Sequence, residues 1–144
     1  MTDQIALLVA DVFEAAGALR RHGERTAQAA GLTQARWQLL SVASDEPVTV
    51  PQAARRLGVS RQNVQRVTND LIASGHLRQL PNPGHRASPL LTLAEEGRRA
   101  LDDVTSKATA VHRTMFVSLS EKEVRSARAV IRKLLAELRD DEHD

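Results

Sequence analysis

The sequence predicts a mainly α-helical chain interrupted by one small β-hairpin. Three observations carry this. Apolar residues recur at helical spacing near both ends of the chain. The only aromatic residues are Phe13, Trp37 and Phe116, so a core must be built from Leu, Val, Ile and Ala. Pro81, Pro83, Gly84 and Pro89 gather the helix-breaking residues in one stretch, which is flanked by short apolar runs. With 144 residues and 42% apolar composition, the chain is long and apolar enough for one folded domain.

The elements follow in order. Ile5, Leu8, Val9, Val12 and Phe13 fall on one helical stripe, and that helix is expected to run to about Ala30 and stop at Gly31. Thr33 is a candidate N-cap for a second helix, Thr33–Ser44, burying Trp37, Leu40 and Leu39. Val48–Val50 is a candidate short strand. Pro51 suits the first turn of a short helix ending before Gly58, and Ser60 suits the cap of the next, Ser60–Ser74, which stops at Gly75. Leu77–Leu80 and Pro89–Leu93 can pair as strands around the turn-rich tip Asn82–Arg86. Thr92-Leu-Ala-Glu95 and Ser120-Glu-Lys-Glu123 each match a capping box. They predict a long helix to about Val117 and a final helix with Val124, Ala127, Ile131, Leu134, Leu135 and Leu138 on one face. The acidic tail, Asp140–Asp144, is expected to fray.

Net charge is only +2, but it is unevenly placed. Between residues 51 and 91 stand Arg55, Arg56, Arg61, Arg66, Arg78 and Arg86 against Asp70 alone, while the segments on either side are each slightly acidic. A local cationic field of this kind suits a phosphate-rich partner.

Within that segment the run Ala53–Val67 has the mechanics of two helices joined by a tight turn. Ala54 permits a close crossing, Gly58 frees the turn, and Val59 and Val64 are expected to plug the space between the helices. Ser60 caps the second helix, whose inward stripe is Val64, Val67, Leu71 and Ile72. Arg61, Gln62, Gln65, Arg66 and Asn69 are left pointing outward. Arg can pair bidentately with guanine, and Gln or Asn with adenine, in the major groove. The hairpin adds Arg78 on its first strand and His85 and Arg86 at its tip. A protruding Arg can enter a narrow minor groove, and His85 can serve as a phosphate donor. These residues predict a winged helix-turn-helix that reads double-stranded DNA.

Here the sequence resembles the MarR family of bacterial winged-helix transcriptional regulators. The likeness rests on TVPQAARRLGVSRQNVQRVTNDLIASGHL followed by NPGHRASPLLTLAEEG, and on the order of elements along nearly the whole chain. The resemblance implies a homodimer whose first and last helices interlock, with one recognition helix per monomer in the major groove and one wing toward the minor groove. It places Ser60, Arg61, Gln62, Gln65 and Arg66 on the recognition helix and Arg86 at the wing tip. Many members have an aspartate where this chain has His85. On this plan residues 1–31 and 118–144 are dimerisation helices, 33–93 the DNA-binding region and 92–117 a connecting helix. The stripes Ile5–Phe13 and Val124–Leu138 would bury each other across two chains. A dimer sets its reading heads roughly 34–36 Å apart, which predicts a pseudo-palindromic operator.

The resemblance also implies a small aromatic or phenolic effector, with Phe13, Arg20, Trp37, Leu40 and His112, and also Arg36, as conceivable lining residues. Core packing is the alternative for Phe13 and Trp37. With no cysteine and no clustered His, Asp or Glu in the sequence, no metal or other cofactor is expected. The N-terminus lacks the pattern of a signal peptide or membrane span, so a cytoplasmic location is expected. No P-loop, dinucleotide fingerprint or nucleophile motif supports an enzyme. A winged helix that binds protein rather than DNA is the other alternative, and it should show a neutral or apolar outer face on the second helix.

Overall fold

The computed structural model describes residues 3–141. Six helices and one hairpin follow in the order α1 (Gln4–Ala29), α2 (Gln34–Asp45), α3 (Val50–Leu57), α4 (Arg61–Ala73), β1 (Leu77–Leu80), β2 (Leu90–Leu93), α5 (Glu95–Met115) and α6 (Glu121–Asp141). The fold is mainly helical with a two-stranded antiparallel wing, as expected. The chain divides into two compact units, residues 1–108 and 109–144.

The core of the first unit is aliphatic. Leu39 and Leu40 of α2, Leu71 of α4, Leu91 of β2 and Val104 of α5 have almost no solvent exposure, and Ala53 and Ala54 let α3 approach its neighbours. Burying each such leucine is worth about 1.5–3 kcal/mol relative to leaving it exposed. Trp37 is only half-buried and packs against the edge of this cluster. α1 ends on a cation: Lys107 of α5 donates to the Ala29 carbonyl (3.4 Å) while held by Asp103 (3.1 Å). A positive group there satisfies a terminal carbonyl and the helix dipole together.

The wing pairs Leu77 with Leu93 and Leu80 with Leu90. Leu77, Leu91 and Leu93 face the core, and Arg78 points away from it. Two local expectations fail here because the hairpin claims the residues concerned. Val48 forms a single bridge to Leu91, through Val48 N–H to Leu91 O (3.1 Å) and the reciprocal bond (2.7 Å). Thr49 and Val50 do not continue a strand. Thr49 caps α3, and its side chain and that of Gln52 close a capping box. Thr92 does not cap α5 either. Its backbone is committed to the ladder opposite Arg78, so α5 begins three residues later, at Glu95. The His76 carbonyl accepts from Ala94 N–H at 3.0 Å and lies so close to Gly97 that a Cβ there would collide with it.

The second unit contains the end of α5 and all of α6. Ser120 and Glu123 form the expected capping box, with reciprocal bonds of 3.1 Å. The Ser120 backbone N–H, and then its hydroxyl, hold the Glu123 carboxyl below its ordinary pKa. No described side chain of α6 is buried, although Val124, Ile131, Leu135 and Leu138 lie along it. Val124, Ile131 and Leu135 border an open groove of about 610 Å³; Leu138 lies beyond its lining. Of the tail expected to fray, Asp140 and Asp141 are helical; Glu142–Asp144 lie outside the described residues. Among the described residues no helix is long and apolar enough to cross a membrane.

Candidate nucleic-acid interface

The candidate site is the outer face of α4 together with the wing. Gly58 makes the turn that presents α4, with a φ of 68° that side-chain-bearing residues rarely adopt. Val59 N–H closes the turn on Ala54 O (3.1 Å). Val59 itself is partly exposed and does not plug the space between helices as expected; Val64 does, at 3% exposure. Ser60 caps α4, its hydroxyl accepting from Asn63 N–H (3.1 Å). Val64, Val67, Thr68 and Leu71 then face inward and hold the helix against the core.

The opposite face carries the donors. Arg61, Gln62, Gln65, Arg66 and Asn69 are all exposed. Several are ordered by one another: Gln65 Nε2 donates to Asn69 Oδ1 (2.9 Å), and Arg66 Nη2 donates to Asn63 Oδ1 (2.7 Å). Asn63 is not among the residues anticipated from sequence; only its spacing of three from Arg66 could have signalled the pair. The single acid of the region, Asp70, is engaged by Arg36 of α2 (3.6 Å). The donor face therefore meets solvent with little opposing charge.

On the wing, Asn82 Nδ2 donates to Ser88 O (3.0 Å), and two successive turns shape the tip, through His85 N–H to Asn82 O and Ser88 N–H to His85 O (both 3.1 Å). His85 and Arg86 are exposed on it, and Arg78 is exposed on β1. Among the described residues the Arg61, Arg78 and Arg86 guanidinium groups make no hydrogen bond or ion pair. They are available to phosphates or base edges.

A cleft of about 250 Å³ lies behind the donor face. Its apolar walls are Leu39, Leu57, Val59, Val64 and Val67, and its polar edges are Arg20, Gln34, Gln38 and Asn63. Of the six residues expected to line a ligand pocket, only Arg20 borders this cleft; Arg36 pairs with Asp70 instead. Leu40 is fully buried in the core, Trp37 packs beside Gly23, and Phe13 is 75% exposed. His112 lies in the second unit, its ring 5.7 Å from that of Phe116. The resemblance that suggested these residues does not say which void they border.

Among the described residues no group of three or more His, Asp or Glu side chains is placed to hold a metal. The fold and this face define a winged helix-turn-helix protein of the DNA-binding class. A sequence profile of the MarR family matches residues 30–88. An uncharacterized Mycobacterium tuberculosis protein, Rv2011c, is 52% identical over 139 residues, covering 96% of this chain and 97% of that one. The transcriptional activatory protein BadR of Rhodopseudomonas palustris is 33% identical over 91 residues, 60% of this chain and 52% of its own. Among solved structures, CouR of Rhodococcus jostii bound to p-coumaroyl-CoA superposes with a TM-score of 0.74 at 22% identity, covering 92% of each chain. An Escherichia coli MarR variant in complex with operator DNA superposes with a TM-score of 0.73 at 19% identity, covering 93% of this chain and 99% of that one. The chain belongs to the MarR family of transcriptional regulators.

Proposed function

We propose that this protein is a sequence-specific regulator that binds a pseudo-palindromic operator as a homodimer and represses by occluding a promoter. The single observation that carries the DNA-reading part is the outer face of α4. There Arg61, Gln62, Gln65, Arg66 and Asn69 are exposed together on a helix capped by Ser60, and the one nearby acid is paired with Arg36. A protein-binding winged helix would carry apolar or neutral residues there. Arg66, Gln62 and Gln65 read base edges, Arg78 and His85 bind phosphates, and Arg86 inserts from the wing.

Two surfaces support the dimer. On α1, Ile5 and Phe13 are about three-quarters exposed and Val9 is partly so, while Leu8 and Val12 are half-buried. On α6, Val124, Ile131, Leu135 and Leu138 are exposed and Leu134 is half-covered. Leaving such stripes in water is costly, and a second copy would cover them. The cleft beside Arg20 supports a small anionic effector with an apolar body, and CouR is a relative in fold that holds an aromatic acyl thioester.

The test is selection of bound duplexes from a random pool, followed by affinity measurements across salt. A palindromic consensus and a slope of about −0.9 in log K per log[salt] for each phosphate neutralised are expected. Absence of binding to any duplex would overturn the proposal. Raised rather than lowered transcription from a reporter carrying the consensus would make the protein an activator, as BadR is described.

A further inference from the structure

Among the described residues four helices open on a Ser or Thr cap whose hydroxyl accepts from the N–H three residues on, but what that third residue does differs. In α2 it is Arg36, a donor, which pairs with Asp70 instead of reaching back. In α3 it is Gln52, which reaches back to the Thr49 N–H (3.0 Å). In α6 it is Glu123, which reaches back to the Ser120 N–H (3.1 Å). In α4 it is Asn63, whose carbonyl instead turns forward and accepts from Arg66 Nη2 at 2.7 Å. Asparagine is one methylene shorter than glutamine, and the helix in question is the one that presents the donor face. Asn63 is also half-buried, forming part of the cleft wall with Val64 and Val67, which limits where its carboxamide can swing.

We propose that Asn63 is a positioning residue that orders the Arg66 guanidinium before DNA arrives and so sharpens operator preference. This rests on the assignment of α4 as the DNA-reading helix. An exposed arginine has many rotamers, and ordering one such side chain on binding costs about 0.5–1.5 kcal/mol, or roughly 2- to 12-fold in affinity. A fixed acceptor at Asn63 removes part of that cost in advance. The gain applies to a duplex on which Arg66 meets a matching base edge. On random DNA, where Arg66 has no unique partner, it is lost.

The informative variant is Asn63→Gln. Its longer side chain should turn back to the Ser60 N–H as Gln52 does to Thr49, closing the capping box and releasing Arg66. Stability should be unchanged or slightly higher. The ratio of affinity for the selected operator to affinity for random duplex should fall about 2- to 12-fold. Side-chain nitrogen relaxation in the DNA-free protein should show Arg66 becoming more mobile. Arg66→Ala should lower the same ratio at least as far, and Asn63→Gln should add nothing to it. An unchanged ratio in Asn63→Gln would overturn the proposal. So would a further fall when Asn63→Gln is added to Arg66→Ala, or equal weakening on both duplexes with a lower Tm, since that marks a merely structural role. Failure of the wild-type protein to bind any duplex would instead overturn the DNA-reading assignment on which this depends.

Discussion

The Asp70 carboxylate on α4 lies 3.6 Å from the Arg36 guanidinium on α2, and both side chains are partly exposed. The pair does two things at once. It ties α4 to the helix behind it, and it neutralises the only acid between Glu46 and Glu95. As an exposed ion pair it contributes at most about 1 kcal/mol to stability, so its electrostatic effect on DNA is the larger consequence. Asp70→Asn should therefore lower Tm only slightly while raising affinity for random duplex several-fold at low salt, an increase that fades as salt rises. Titration of a labelled random duplex at two ionic strengths, with a thermal melt, checks it.

Arg86 is exposed at the wing tip beside His85, and among the described residues its guanidinium makes no hydrogen bond or ion pair. If it neutralises one phosphate or enters the minor groove, Arg86→Ala should reduce the salt slope by about 0.9 per monomer. Binding should weaken on selected and random duplexes to similar degrees, whereas Gln62→Ala should change the selected consensus. Affinity measured over a salt series separates the two.

Val124, Ile131, Leu135 and Leu138 are exposed along α6. Leu135→Glu or Ile131→Glu should convert the protein to monomers and cut operator affinity by orders of magnitude, because one reading head loses the effective concentration supplied by the other. Sedimentation velocity gives the oligomeric state. A dimer that survives both substitutions would remove this face from the interface.

Gly97 meets the His76 carbonyl where β1 begins and α5 starts. Gly97→Ala should cost about 1–3 kcal/mol by overpacking against backbone that cannot move aside. Helix propensity alone would make alanine the better residue, so the sign of the change in a denaturant melt tells the two effects apart.

Glu123 is held below its ordinary pKa of 4.5 by Ser120. A carboxyl whose pKa is lowered on folding binds protons more readily when unfolded. Its contribution is thus complete above the ordinary value and is lost as pH falls through the lowered one. Helicity of the wild-type protein should show an acid-side loss below pH 4.5 that is reduced in Glu123→Gln, which keeps the acceptor without the titration. Far-UV circular dichroism against pH measures it.

Much of this was legible in the chain itself, and the misses share a cause. The caps Thr33, Ser60 and Ser120 and the stop Gly58 act within four residues, so local chemistry suffices to find them. Thr92 matched a capping box and Val48–Val50 a strand on equally local grounds. Both were decided instead by pairing with residues elsewhere, Arg78 and Leu91. The donor face of α4 was visible because an inward stripe of Val64, Val67 and Leu71 dictates what is left outside. The cleft was not visible, because it borders four separate elements and only their packing says that Leu57 and Val59 line it while Leu40 does not.

The sequence by itself therefore determined the winged helix-turn-helix, its basic segment and the outward set Arg61, Gln62, Gln65, Arg66 and Asn69, since helical period and capping are properties of neighbouring residues. Only the tertiary structure decided that Asn63 holds Arg66 and that Arg36 neutralises Asp70. It also decided that Gly97 must be bare against His76. Those depend on which rotamer a packed neighbour permits and on how closely two distant backbones approach.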